Sequence, residues 1–120
     1  MPDVAEELRN RTKKFALRIL NMTDSLPNTP KAWVLGKQIM RSGTSVGANY
    51  RAATRAKSRA DFIAKLGIVV EEADETQYWL ELRADSGLIK PSLLADLQKE
   101  AAELTAIFTA SRNTAKARQD

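Results

Sequence analysis

The stretch Arg41-Ser42-Gly43-Thr44-Ser45-Val46-Gly47-Ala48-Asn49-Tyr50-Arg51 limits what this chain can fold into more than any other. Taken alone it is a poor helix. Glycine costs about 1 kcal/mol against alanine in a helix interior, and Ser, Thr, Val and Asn are weak formers. Yet helical periodicity flanks it on both sides. Either the chain breaks here into a Gly/Ser surface loop, or the helix runs through because a neighbouring helix approaches too closely for larger side chains. The spacing favours the second. Gly36, Gly43 and Gly47 fall seven and four residues apart and share one helical face, flanked by Ile39, Val46 and Tyr50. A narrow glycine stripe bordered by apolar residues predicts a close-contact seam.

The remaining pattern supplies the partners. With 120 residues the chain makes one domain. Leu8, Phe15, Ile19, Met22 and Leu26 recur at helical spacing and predict a first helix from about Val4 to Ser25. Pro27-Asn28-Thr29-Pro30 is a turn, with Thr29 placed to cap a second helix and Pro30 at its first position. That helix is expected from Pro30 to about Lys57, with Ala32, Leu35, Gly36, Ile39, Gly43, Val46, Tyr50 and Ala53 inward. Ser58, three residues before Asp61, resembles a capping box and opens a third helix from Arg59 to about Ser86. Its apolar face is Phe62, Ile63, Leu66, Val69, Val70, Ala73, Leu80 and Leu82, with Gly87 as its stop. Leu88-Ile89-Lys90 leads to a fourth helix beginning at Pro91 or Ser92, lined by Leu94, Leu97, Ala101, Leu104, Ile107 and Phe108 and fraying near Asn113. No strand alternation persists. The expectation is an all-α, antiparallel up-down-up-down four-helix bundle over residues 1–113, followed by a polar, disordered tail at 114–120.

Several chemistries are excluded or disfavoured by what is missing. The chain has no cysteine and no histidine, so disulfides, thiolate metal sites and Ser-His or Cys-His nucleophile pairs are out. Glu71, Glu72, Asp74 and Glu75 are the one dense carboxylate cluster. A carboxylate metal site in a bundle wants Glu-x-x-His elements on two helices, so this cluster reads as a solvated or salt-bridged face. No metal, cofactor or catalytic residue is expected. Nothing resembles a signal peptide or a membrane span, and a cytoplasmic protein is the expectation.

Positive chemistry is limited to charge. The formal net charge is +4. Arg41, Arg51, Arg55, Lys57, Arg59 and Lys65 gather around the end of the second helix and the start of the third, with Arg51 and Arg55 one turn apart. Three readings stay open: a phosphate-contacting patch, pairing with the Glu71–Glu75 cluster of another subunit, or a solvated helix end. Asn49, beside the glycine stripe, is read as a structural polar residue that fixes register between helices. Tyr78 and Trp79 point in different directions, so one serves the core and the other a second interface. Ile68 and Leu82 also fall outside the narrowest inward stripe of the third helix. A helix apolar beyond one stripe needs burial on two sides, which argues for a homo-oligomer.

The segments Gln38 to Ala53, Ser58 to Thr76 and Tyr78 to Leu82 resemble the four-helix bundle proteins of the 23S rRNA intervening-sequence family, and the similarity extends from about Lys13 to Ala110. The resemblance implies a ring-like homopentamer. It also implies kinship in fold with the accessory proteins of diversity-generating retroelements, which bind nucleic acid and a reverse transcriptase through a basic surface. It carries no catalytic residues. The leading functional expectation is a non-enzymatic protein that binds RNA, or DNA, through Arg41, Arg51, Arg55, Lys57, Arg59 and Lys65 with little sequence specificity. The alternative is a protein–protein adaptor whose basic residues meet neighbouring subunits or a partner protein.

Overall fold

The computed structural model describes residues 3–87 and 91–118, and over them the chain is all-α. The helices are α1 (Val4–Thr23), α2 (Pro30–Ala53), α3 (Arg59–Asp85) and α4 (Pro91–Ala117). Side-chain caps open three of them. Asp3 Oδ1 accepts from the Glu6 N–H at 2.7 Å. Thr29 Oγ1 accepts from the Ala32 N–H at 3.4 Å, with Pro30 at the first helical position. Ser58 Oγ accepts from the Asp61 N–H at 3.0 Å. Each cap satisfies one amide that the helix start leaves without a partner. The capping box at Ser58 is displaced by one residue: Asp61 Oδ2 accepts from the N–H of Lys57, not of Ser58, at 3.1 Å.

The helix ends differ from expectation in two places. α2 stops at Ala53, short of Lys57. Thr54 caps it, donating its hydroxyl to Arg51 O at 2.8 Å, and the Arg55 and Ala56 amides turn back onto the Ala52 and Ala53 carbonyls at 3.1 Å. Arg55 therefore lies in the turn and shares no helical face with Arg51. At the other end, α4 continues past Asn113 to Ala117, and Ala115 is buried. One inward alanine keeps the helix going through a polar stretch that sequence alone reads as fraying. The expected Leu88–Lys90 link lies outside the described residues.

The glycine segment is helical throughout, and its neighbour is α1. A Cβ built on Gly43 would stand 2.9 Å from Ile19, one on Gly47 would stand 3.1 Å from the Thr12 hydroxyl, and one on Gly36 would stand 3.0 Å from the Leu26 methyl. Larger side chains have no room. Thr12 is itself fully buried, its hydroxyl donating to Leu8 O at 2.8 Å. α2 meets α3 through a second small-residue contact, where the completely buried hydroxyls of Ser42 and Thr76 stand 2.9 Å apart. Gln77 Nε2 donates to Thr105 Oγ1 at 2.9 Å between α3 and α4. At each of these seams, rising residue numbers on one helix meet falling numbers on the next.

Inside lies one core, with Phe15, Ile19, Ile39, Val46, Leu66, Leu80, Leu104 and Phe108 all essentially sealed from water. The Tyr50 ring stacks at a tilt on Phe108, centroids 4.9 Å apart. Of the helix pairs in contact, α1 and α4 approach each other least. They are tied by Arg11, which grips Glu100 through Nε at 2.8 Å and Nη2 at 2.6 Å and reaches Glu103 at 3.1 Å. This grip holds the Glu100 carboxyl below its usual range. Among the described residues one charged residue is buried. Arg83 is fully buried beside the Met22 sulfur, its Nε and Nη2 without partners among the described residues, and burial pushes its pKa down to about 10.

The seam makes a differential prediction. Gly43→Ala gains about 1 kcal/mol of helix propensity but drives a methyl into Ile19, and overpacking costs typically about 1–3 kcal/mol, so the variant should be no more stable than wild type and most often less. A Cβ on Gly67 meets Arg112 at an ordinary 3.5 Å, so Gly67→Ala should gain up to about 1 kcal/mol. Urea melts of the two variants read the opposite signs.

Candidate nucleic-acid interface

The six basic residues read from the sequence do not form one patch. Arg41, on α2, is turned toward α3, where it pairs with Glu72 at 3.2 Å and with Glu75. Ser45 Oγ donates to the same Glu72 oxygen at 2.7 Å, and Glu75 in turn accepts from the Trp79 indole N–H at 3.0 Å. The acidic cluster thus finds a cation within its own chain. Lys65 pairs with Asp61 at 2.6 Å, one turn back on α3. This contact, and then the Lys57 amide, hold the Asp61 carboxyl below its usual range. Arg41 and Lys65 are therefore seam and helix-start residues. Arg55 and Lys57 stand exposed on the turn between α2 and α3, and exposed Arg59 begins α3 beside a hollow that includes Tyr50 and Phe62.

Arg51 belongs to a different group. It lines a groove of roughly 350 Å³ between α1 and α2, opposite Arg9 and Lys13 of α1. Gly47, Ala48, Thr44 and Ala16 line the same groove. The close contact of the two helices brings these three cations to one place, although Arg9 and Arg51 are far apart in sequence. Arg9 and Lys13 are not among the six basic residues singled out from the sequence. A stronger signal was available. From Arg9 to Ala60 the chain carries twelve Lys and Arg against a single acidic residue, Asp24. From Asp61 to Asp120 acidic residues outnumber basic ones, eleven to seven. The division falls in the first turn of α3, so it approximates a division between the surfaces of α1 and α2 and that of α3. α1 and α2 present a basic face, while exposed Glu71, Asp74, Glu81 and Asp85 make α3 acidic outside. The basic run at residues 41–65 straddles this boundary and mixes the two.

Other candidates resolve as structure. Asn49 donates to Ser45 O at 2.9 Å, within its own helix, so the register role falls instead to Ser42 and Thr76. Tyr78 is 54% exposed, whereas Trp79 is half-buried against the core. Among the described residues no group of three or more carboxylates converges as a metal site would require. No helix there is long and apolar enough to cross a membrane.

A family model described as 23S rRNA-intervening sequence protein matches residues 6–110. A crystal structure from Bacteroides thetaiotaomicron, described as a protein with unknown function from the S23 ribosomal protein family, is 41% identical. The match covers 87% of this chain and 96% of that one, with a TM-score of 0.81. Among curated proteins nothing matches.

The different surroundings of Arg41 and Arg51 have a measurable consequence. Arg41→Ala removes a guanidinium already neutralised by two carboxylates and should leave elution from a heparin column unchanged. Arg51→Ala removes one with no ion pair among the described residues and should bring elution forward to lower salt.

Proposed function

The chain belongs to the 23S rRNA-intervening sequence protein family, and from that premise we propose that it is a non-enzymatic, homo-oligomeric up-down-up-down bundle that binds nucleic acid through its basic α1/α2 face. The observation that carries this reading is the division of charge between the two halves of the chain. Of the twelve cations between Arg9 and Ala60, Arg9, Lys13, Lys14, Arg18, Lys31, Lys37 and Arg51 stand on α1 and α2 with no ion pair among the described residues, against Glu6 and Glu7 at the start of α1, and they concentrate positive potential beyond what a net charge of +4 conveys. Polyanions are its natural partners. The guanidinium and ammonium groups around the α1/α2 groove contact phosphates, which gives affinity with little sequence preference. RNA is the favoured nucleic acid, and the cytoplasm the compartment. The absence of histidine and cysteine from the chain supports a binding role over catalysis. The oligomer is proposed as a pentamer on the strength of the family resemblance.

A second reading has its own support. A basic α1/α2 face and an acidic outer α3 complement each other between copies of the chain, so the same charges can serve assembly or an acidic protein partner. The two readings separate on salt and stoichiometry. For binding of a single strand through the three cations of the groove, log K should fall with log salt at a slope of about −2. Light scattering at the same salt concentrations should give an unchanged mass near five times 13.3 kDa. Assembly that collapses with salt, without measurable RNA binding at any salt, would establish the adaptor reading instead.

A further inference from the structure

We propose that the outer face of α1 and α2 is a track for single-stranded nucleic acid, with phosphates held at one end by Arg9, Lys13 and Arg51 and a base stacked on the Trp33 indole at the other. The proposal rests on the nucleic-acid reading above and says where, and in what form, the strand lies. Trp33 is 59% exposed, an unusual position for the largest side chain unless something covers it. It is also held in place: its Nε1 donates to Asn28 Oδ1 at 2.7 Å, anchoring the ring to the turn before α2. A fixed, exposed aromatic plane loses little entropy when a base stacks on it. Lys37, one turn along, lines the same hollow, which measures roughly 370 Å³ and contains no carboxylate.

Both hollows lie between the same two helices. Trp33, Lys37, Met40, Thr44, Ala48 and Arg51 follow one another at helical spacing along a single edge of α2. The eighteen residue steps from Trp33 to Arg51 span about 27 Å at 1.5 Å per residue. That length suits a strand of several nucleotides, within the range of about 4–16 nucleotides typical of single-strand sites. A duplex keeps its bases stacked inside and offers the indole nothing along its length. The Trp33 end therefore selects for an unpaired strand, while the Arg9–Lys13–Arg51 end is indifferent to pairing.

The test uses the full chain and two probes, a 12-nucleotide oligouridine and a blunt RNA duplex of equal length, followed by anisotropy at fixed low salt. Trp33→Ala should weaken oligouridine binding about tenfold, the loss expected for one stacked base, and leave duplex binding unchanged. Trp33→Phe should restore most of the oligouridine affinity. Combined Arg9→Ala, Lys13→Ala and Arg51→Ala should weaken both probes and flatten the salt slope. If oligouridine binds but Trp33→Ala is without effect, while replacing Arg55, Lys57 and Arg59 abolishes binding, the track is wrong and the nucleic-acid reading survives. If wild type binds neither probe, the nucleic-acid reading itself fails. If Trp33→Ala lowers the assembled mass in light scattering, the face seats another copy of the chain and the track is overturned.

Discussion

Everything on the surface of this bundle depends on how closely α1 and α2 approach. With hydrogen at Gly43 and Gly47, Ile19 and the Thr12 side chain lie nearly against the α2 backbone. Helices held at that distance behave as one slab, because neither can shift without opening a void or a clash in a close-packed interior. The slab sets the spacing of side chains along its outer edge. Arg9 and Lys13 face Arg51 across a narrow groove because the two helices that carry them cannot spread apart. The poor helix propensity of the segment is thus offset by packing: each glycine gives up about 1 kcal/mol of local preference for an approach that no larger residue permits.

Charge follows the same division. Cations that face inward along seams are matched: Arg41 by Glu72 and Glu75 between α2 and α3, and Arg11 by Glu100 and Glu103 between α1 and α4. These pairs stitch each slab edge to its acidic neighbour. Arg9, Lys13 and Arg51 meet in a groove with no carboxylate in its lining, where the screening length of about 8 Å at physiological salt lets neighbouring charges act together. Arg83 is the exception inside. A buried guanidinium with two unpartnered nitrogens costs stability that an apolar residue of similar size would not.

Much of the fold was legible from residue order. The inward residues predicted for α2, from Ala32 to Ala53, are all buried, because the 3.6-residue period survives even where propensity is poor. Thr29, Pro30 and Ser58 mark helix starts through chemistry local to a few residues. What was not legible depended on the third dimension. Thr12, Ser42 and Thr76 are buried although polar, since each satisfies its hydroxyl locally or across a seam that only packing creates. Arg83 occupies a core position where periodicity pointed to Leu82. The interface suffered most. Closeness in sequence joined Arg41 and Lys65 to a patch they do not belong to, while Arg9 and Lys13 reach Arg51 only through the α1–α2 contact.

The central claim is that the slab formed by α1 and α2 is the face nucleic acid occupies. Hydroxyl-radical footprinting with and without oligouridine tests it most directly, because exposed reactive side chains report from both sides of the molecule. Trp33, Leu17 and Leu20 lie on the slab, and Ile68 and Tyr78 on α3. Oxidation of Trp33 and Leu20 should fall severalfold on binding while that of Ile68 and Tyr78 is unchanged. Protection of Ile68 and Tyr78, with Trp33 and Leu20 oxidised as before, would contradict it.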